Sequence, residues 1–300
     1  TATGNIGAIT QKQLTIGGTF SANAKPYDGN VTATINNNSL TLVTKVGADD
    51  VSLSPVLVFS DKDAATGKTV SLTGTTLTGA KAGNYSLSLS GAPTASADIT
   101  KVTLTASLIS TLTKVYDGDN TVSNLTNANY QLSGLILSEL PTISKTSGTY
   151  ASVDVANPIS VSTTLASGDF TEAAGFLKAN YTLPTTATGN IGAITQKQLT
   201  IGGSFTANNK PYNGNTSAAI LGNSLTLVTK VGADDVSLSP VLVFSDKDAA
   251  TGKTVSLTGT TLTGSKAGNY TLSLSGAPTT TADITKVTLT ASLISTLTKV

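Results

Sequence analysis

Residues 95–106 read "ASADITKVTLTA", and the organisation of the whole chain turns on this stretch. It holds no Gly, no Pro and no Ser/Gly-rich spacer, whereas a flexible linker declares itself through such composition. One strand therefore runs out of one folded unit and into the next, which holds neighbours end to end with little bending.

The units on either side emerge from self-similarity. Residues 186–300 laid beneath 1–115, an offset of 185, differ at 13 positions, and "TATGNIGAITQKQLTIGG" is identical in both. A weaker repeat lies inside this length. "ITQKQLTI" at 9–16 resembles "ITKVTLTA" at 99–106, "KPYDGN" at 25–30 resembles "KVYDGDN" at 114–120, and "GNYSL" at 83–87 resembles "ANYTL" at 179–183. The chain thus divides into a type A unit at 9–98, a type B unit at 99–193 and a second type A unit at 194–283. Residues 1–8 match the tail of a type B unit and 284–300 its first strand, so a window on a longer A-B-A-B array is expected. Differences between the A copies gather in 19–37 against 204–222, which marks exposed positions.

Within each unit the periodicity is two. "SLTLV", "VSLSPVLVF" and "KTVSLTGTTLTG" alternate apolar with hydroxyl residues, favour Val, Leu and Thr, and are bounded by Gly, Asn, Asp or Pro. Such strands, with turn signals between them, predict an all-β fold of tandem antiparallel β-sandwiches, Ig-like with Greek-key connections, arranged end to end. Three domains of about 35–40 Å each make a rod of roughly 100 Å. The alternative is a β-grasp-like repeat with a helix on one sheet, which the type A units weaken by showing no helical segment. In type B, "DFTEAAGFLKAN" at 169–180 places Phe170, Ala173, Ala174 and Leu177 at helical spacing. It reads as a loop with one helical turn, a lid on its own domain in preference to a contact site for a neighbour.

The triplet at 27–29, 116–118 and 212–214 reads as a backbone turn. Asp-Gly and Asn-Gly suit a type I′ turn, whose two central residues need positive φ. Asp28 and Asp117 give way to Asn213 in the third copy, an exchange that neither a general base nor a charged metal ligand survives. Tyr27, Tyr116 and Tyr212 are expected to lay their rings across the end of the core with hydroxyls tied to backbone. Tyr85, Tyr181 and Tyr270 parallel the tyrosine that bonds back to the chain at a corner of Ig-like sandwiches. Taken together, "KPYDGN", "KVYDGDN", "GAKAGNYSL" and the closing "ADITK" strand resemble the YDG-type tandem repeats of large bacterial haemagglutinin-like adhesins and exoproteins, over essentially the whole chain. The resemblance implies tandem all-β domains in surface stalks or biofilm-matrix filaments, and it names no catalytic residue.

Composition closes most chemistry. The chain has no His, Cys, Met or Trp, and its 18 cations are all Lys. There is therefore no imidazole shuttle or ligand, no thiolate nucleophile or zinc cluster and no disulfide. Net charge is +1, the Lys are scattered, and no Arg offers a bidentate fork for phosphate, which argues against nucleic acid as a partner. No apolar run approaches the roughly 18 residues of a bilayer span, so no membrane insertion is expected in this segment. A hydroxyl-rich, Cys-free chain fits an extracellular setting at a bacterial cell surface or in a biofilm matrix, although lack of Cys alone fits the cytosol equally.

Local candidates reduce to structural roles. "SDKDAATGKT" at 60–69 lacks the first Gly of a phosphate-binding loop, Lys62 standing in its place. Asp61 and Asp63, with Asp246 and Asp248 in the second A unit, form half of a calcium site that neighbouring Lys neutralise, and a solvated loop with Asx turns is preferred while calcium stays open. Asp49 and Asp50 stand at a strand entry where they cap a turn, and adjacent strand residues point to opposite faces, unlike a glycosidase pair. The only Glu are Glu139 and Glu172, both in type B, which leaves type A without the usual carboxylate for a Lys-Asn isopeptide. No catalytic, cofactor-binding or metal residue is assigned, no cofactor is expected, and the chain is not read as an enzyme. The expected function is a stalk or filament segment of a large secreted adhesin or biofilm-matrix protein, its partners being other copies along or beside a fibre or a host or neighbour cell surface. The alternative is a multivalent glycan- or host-surface-binding module using the repeat loops.

Overall fold

The computed structural model describes residues 7–137, 139–173, 175–295 and 299. Among them the chain is all-β, and its helical segments are single 3-10 turns such as Ala82–Asn84. The helix required by the β-grasp alternative is missing among the described residues. The first repeat contains β1 (Lys12–Ala22), β2 (Lys25–Pro26), β3 (Thr32–Ala33), β4 (Ile35–Val43), β5 (Ser52–Ser54), β6 (Leu57–Phe59), β7 (Ala65–Leu72), β8 (Thr76–Thr78), β9 (Tyr85–Ser88) and β10 (Ala95–Thr100). They assemble into a three-stranded sheet β4-β1-β9, a five-stranded sheet β2-β10-β7-β6-β3 and a β5-β8 pair. The same sheets recur in the third repeat, from Lys197–Ala207 through Thr280–Thr285.

Alternation supplies the core. Ile16 and Phe20 from β1 meet Leu57 and Phe59 from β6, Val70 and Leu72 from β7, and Ile99 from β10. Each such buried side chain contributes about 1.5–3 kcal/mol, while the Thr and Ser between them stay wet.

Ladder direction departs from the purely antiparallel expectation. β1 pairs antiparallel with β4 but parallel with β9, Lys12 opposite Tyr85 and Leu14 opposite Leu87, and β10 is parallel to β2. The sheets are mixed, because a period of two reports which face is buried and says nothing of a neighbour's direction.

The five-stranded sheet is also curled. β2 and β3 lie on its opposite edges, about 19 Å apart if four strand spacings were flat, yet residues 27–31 join them through a bend at Gly29, whose φ is 77°. A bent five-residue link spans less than that, so the edges approach one another and the sheet is barrel-like.

By packing, the chain forms two compact units. The first takes residues up to Ile109 with Ser123–Gly148 and Ser162–Thr188; the second takes Ser110–Val122, Thr149–Val161 and the chain from Gly189. In the first unit Lys101 alone separates β10 from Val102–Thr103, which runs parallel to Tyr181–Thr182. In the second, Gln196 alone separates the strand that ends at Thr195 from Lys197–Ala207. Ile99 and Ile194, beside these crossings, are 2% and 1% exposed. The loop at 169–180, of which residue 174 lies outside the described residues, is more than a lid on its own domain: Phe170 is buried, Phe176 packs in the core of the first repeat with Tyr27 and Phe59, and Asn180 bonds to Ala64 and Asp63, so it makes the neighbour contact, the less favoured expectation. Residues 1–6 of the stretch read as a preceding tail, and 296–298 and 300 of that read as a following strand, lie outside the described residues. Residues 286–295 form no strand, and Leu289 and Leu293 there are exposed.

One glycine in β1 is demanded by space. Gly18 has φ 79°, and a Cβ there would lie 2.0 Å from the Ser39 carbonyl oxygen; at Gly203 the same distance to Ser224 is 2.1 Å. Gly18→Ala is expected to destabilise the first repeat by roughly 2–4 kcal/mol. Gly83→Ala, with no atom within 4 Å of the added carbon, should stay within about 0.5 kcal/mol; urea unfolding midpoints of the two variants check the contrast.

Candidate functional site

The Tyr-Asp-Gly turn is built by its Lys. Lys25 Nζ donates to Asp28 Oδ1 (2.8 Å) and to the Asn30 carbonyl (2.8 Å). Lys210 Nζ does the same with Asn213 Oδ1 (3.0 Å) and the Asn215 carbonyl (2.7 Å), and Lys114 Nζ reaches Asp117 Oδ1 (2.7 Å) and the Asp119 carbonyl (2.9 Å). The same side-chain oxygens accept the N–H two residues on, at 3.1 Å from Asn30, 3.0 Å from Asp119 and 3.3 Å from Asn215. An amide oxygen thus makes both bonds that a carboxylate makes, which is why Asn213 replaces Asp without altering the turn. The turn is not type I′: only the glycines, Gly29, Gly118 and Gly214, take positive φ (77°, 80°, 80°). The Asx bond, formed without positive φ at Asp28, does the work assigned to a second left-handed residue.

The tyrosines depart from expectation more informatively. Tyr27 and Tyr116 are buried, but their hydroxyls donate to carboxylates of the following repeat and not to backbone. In the first unit Tyr27 donates to Glu139 Oε1 (2.6 Å) while Tyr181 donates to Glu139 Oε2 (2.7 Å), and the two rings meet edge-on at 5.6 Å and 78°. In the second unit Tyr116 and Tyr270 both donate to Asp234 Oδ2 (2.8 and 2.6 Å), with rings at 5.3 Å and 80°. Edge-on aromatic pairs add about 0.5–1.5 kcal/mol beyond their burial. Tyr181 and Tyr270 are also tied to the chain, accepting the N–H of Ile136 (3.1 Å) and Val231 (3.1 Å). Tyr85 is held likewise by Val46 N–H (3.2 Å) and donates to Asp49 Oδ2 (2.6 Å). Tyr212 is 41% exposed.

A second clasp accompanies each joint. The residue before Tyr181 ends the 3-10 turn Lys178–Asn180; Asn180 accepts from Ala64 N–H (2.8 Å) and donates to Asp63 Oδ1 (3.0 Å). Asn269, ending Ala267–Asn269, accepts from Val155 N–H (2.9 Å) and donates to Asp154 Oδ1 (2.7 Å), which Lys266 Nζ also reaches at 2.7 Å. One short turn therefore aims an amide at the preceding repeat and sets a phenol on the carboxylate that the preceding repeat's tyrosine shares. The first-repeat core is continuous through this contact, since Leu104, Phe176 and Tyr181 pack with Tyr27, Phe59 and Ile99.

Other candidates are occupied locally. Asp61 pairs with Lys68 and accepts Asp63 N–H (2.9 Å), and Asp246 pairs with Lys253. Asp50 Oδ2 accepts Ala80 N–H (2.9 Å), and Glu172 accepts Lys178 N–H (2.9 Å). Among the described residues no group of three or more Asp or Glu is placed to hold a metal.

The joining roles of Glu139, Asp234, Asn180 and Asn269 were not read from the sequence. The usable signal was a carboxylate upstream of three of the four Asn-Tyr pairs, 36 residues before Tyr85 and Tyr270 and 42 before Tyr181, while Tyr130 donates to the Lys145 carbonyl instead. Chemically the arrangement offers cohesion: both Glu139 oxygens are engaged by phenols, and a phenol donates only while protonated. Burial first, then the bond to Asp234, pushes Tyr116 and Tyr270 up to about 12 from the ordinary 10.0. Burial and then Glu139 raise Tyr27 and Tyr181 too. A folded-state value above the unfolded one contributes stability that is whole below pH 10 and lost as pH rises through about 12. Alkaline titration at the phenolate absorbance should show these tyrosines ionising late, together with loss of folded structure.

Removal of single hydroxyls separates used from unused positions. Tyr27→Phe withdraws a donor from buried Glu139 and is expected to cost about 1.5–3 kcal/mol. Tyr212→Phe should change stability by under about 0.5 kcal/mol, as read from chemical unfolding of both variants.

No curated protein and no solved structure matches the chain. The YDG domain family matches it three times, at residues 10–95, 100–189 and 195–282, each match holding one Lys-x-Tyr turn, with one later Asn-Tyr turn in the first and third and two in the second. With these matches spanning most of its length, the chain belongs to the YDG domain family as three tandem repeats.

Proposed function

We propose that the chain is a structural segment, a stalk or filament, of a large secreted bacterial surface adhesin or biofilm-matrix protein. Its task is mechanical: to transmit position and tension along an end-to-end array of β-repeats. The observation that carries this is the joint at each crossing, where a one-residue link, Lys101 or Gln196, is flanked by a carboxylate bonded to tyrosines of both repeats. Bending there would pull a buried acceptor from its donor. The mixed sheets serve this task as well as an Ig-like sandwich would, because what matters is that a single residue separates the strands at each crossing.

A second reading, multivalent attachment to glycans or a host surface, draws on a groove that recurs in both type A repeats. It measures about 400 Å³ beside Asn38, Thr41, Lys45 and Ser52, and about 440 Å³ beside Asn223, Thr226, Lys230 and Ser237. Weak identical sites add through effective concentration. Glycan-array binding that tracks this groove would favour attachment over mechanics.

Small-angle scattering tests the mechanical reading. A rod of about 100 Å has a radius of gyration near 29 Å, against about 19 Å for a compact 300-residue globule. The expected profile is that of a stiff rod, and insertion of Gly-Gly-Ser after Lys101 should shorten its mean length. A compact particle, or a flexible string of beads in the unaltered chain, would overturn the proposal.

A further inference from the structure

The chain contains one Asn-Gly pair, Asn213-Gly214, at the position where the first two turns carry Asp-Gly. An asparagine amide carbon is one ring closure away from the next residue's backbone nitrogen, and a following Gly leaves that nitrogen unhindered by a side chain. What sets this pair apart is where the turn places its donors. Lys210 Nζ (3.0 Å) and the Asn215 N–H (3.3 Å) both donate to Asn213 Oδ1. The ammonium is itself held by the Asn215 carbonyl (2.7 Å), Asn215 Oδ1 (2.9 Å) and the Ser217 carbonyl (2.9 Å). Two donors fixed on a carbonyl oxygen make its carbon more electrophilic and stabilise the charge that the oxygen takes up when the carbon is attacked.

The surroundings leave room for the reaction. Gly214 has φ 80°, and no atom lies within 4 Å of where a Cβ would stand. Water reaches this position in docked turns too: Asp28 and Asp117, in turns whose tyrosines are buried, keep side chains 43% and 54% exposed. Asn38 and Asn223 supply a contrast within the chain. Their side-chain oxygens accept the N–H two residues on (3.0 and 3.1 Å), but Ser follows each.

We propose that Asn213-Gly214 is a self-modifying site, at which the turn's own lysine promotes conversion of the third turn to the carboxylate form of the first two. The Gly214 nitrogen gives its proton to solvent and bonds to Asn213 Cγ. The Cγ–Nδ2 bond then breaks and ammonia leaves with a proton from water, closing a five-membered succinimide. Water opens the ring: addition at Cγ breaks the new C–N bond and yields aspartate, and addition at the backbone carbonyl yields isoaspartate. The net change is amide plus water to carboxylate plus ammonium, with no other reactant. The aspartate product is laced as Lys25 laces Asp28 (2.8 Å) and Lys114 laces Asp117 (2.7 Å). Those two residues are poorer electrophiles, because an ionised carboxylate repels a nucleophile.

Incubation of the intact chain at mildly alkaline pH, followed by peptide mass spectrometry with Asn213→Asp as product standard, tests this. The expected result is the mass gain of one amide-to-carboxylate exchange at residue 213, with Asn38 and Asn223 unchanged over the same period. It should proceed faster in the folded chain than in the same chain held in urea. Lys210→Met should slow the folded reaction roughly tenfold, less than the ~10²-fold of a buried oxyanion hole because water shares the site, and leave the rate in urea unaltered. Should that variant not fold, as read from its urea midpoint, the folded-against-urea comparison on the unaltered chain decides alone. An unmodified residue 213, or a rate in urea that equals or exceeds the folded one, refutes the assignment. So does a Lys210→Met chain that reacts as fast or faster when folded, since the lysine would then shield the amide.

Discussion

A carboxylate held between two tyrosines from successive repeats is the interaction on which the rest depends. An ionised carboxylate taken out of water is costly unless its oxygens are satisfied. Here satisfaction comes from phenols, and the nearby ammonium of Lys62, which donates to the Tyr27 hydroxyl (3.2 Å), stays half-exposed, so no fully buried cation has to be desolvated. Because the two donors belong to different repeats, Glu139 keeps both only while the repeats stay docked. Withdrawing one donor leaves a buried acceptor short of a partner, a penalty of about 1–3 kcal/mol. Bending is opposed by this penalty at a point where the backbone has a single residue to yield.

Everything nearby serves to place those phenols. The Lys that laces the Tyr-Asp-Gly turn fixes the end of β2, the positive φ of Gly29 turns the chain away, and Tyr27 is left in the core that its own repeat shares with Leu104, Phe176 and Tyr181 of the next. From the other side a 3-10 turn ending at Asn180 presents amide and phenol together. The design tolerates variation in the acceptor. Glu139, with its longer side chain, offers one oxygen to each tyrosine, whereas Asp234 offers a single oxygen to both.

Joints of this kind make stability a matter of nearest neighbours, as in other repeat proteins, where each unit is supported by the one before and the one after. They also account for a composition poor in charge. With 12% charged residues and no Arg, the chain cannot rely on surface ion-pair networks, and buried phenol–carboxylate bonds are screened little by salt.

Much of this was legible in the residues alone. Period-two alternation reported strands, the 185-residue offset reported the repeats, and the exchange of Asp28 for Asn213 reported a turn, because each is set by neighbours within a few positions. The uninterrupted stretch around Lys101 likewise announced a crossing without a linker. Tertiary structure alone decided that β1 lies parallel to β9, and that Tyr27 finds Glu139 at a separation of 112 residues while Tyr116 finds Asp234 at 118. Local pattern carries which face is buried and where the backbone bends. Which distant oxygen receives a hydroxyl depends on how strands pair and repeats dock, and that is settled only when the whole chain has closed on itself.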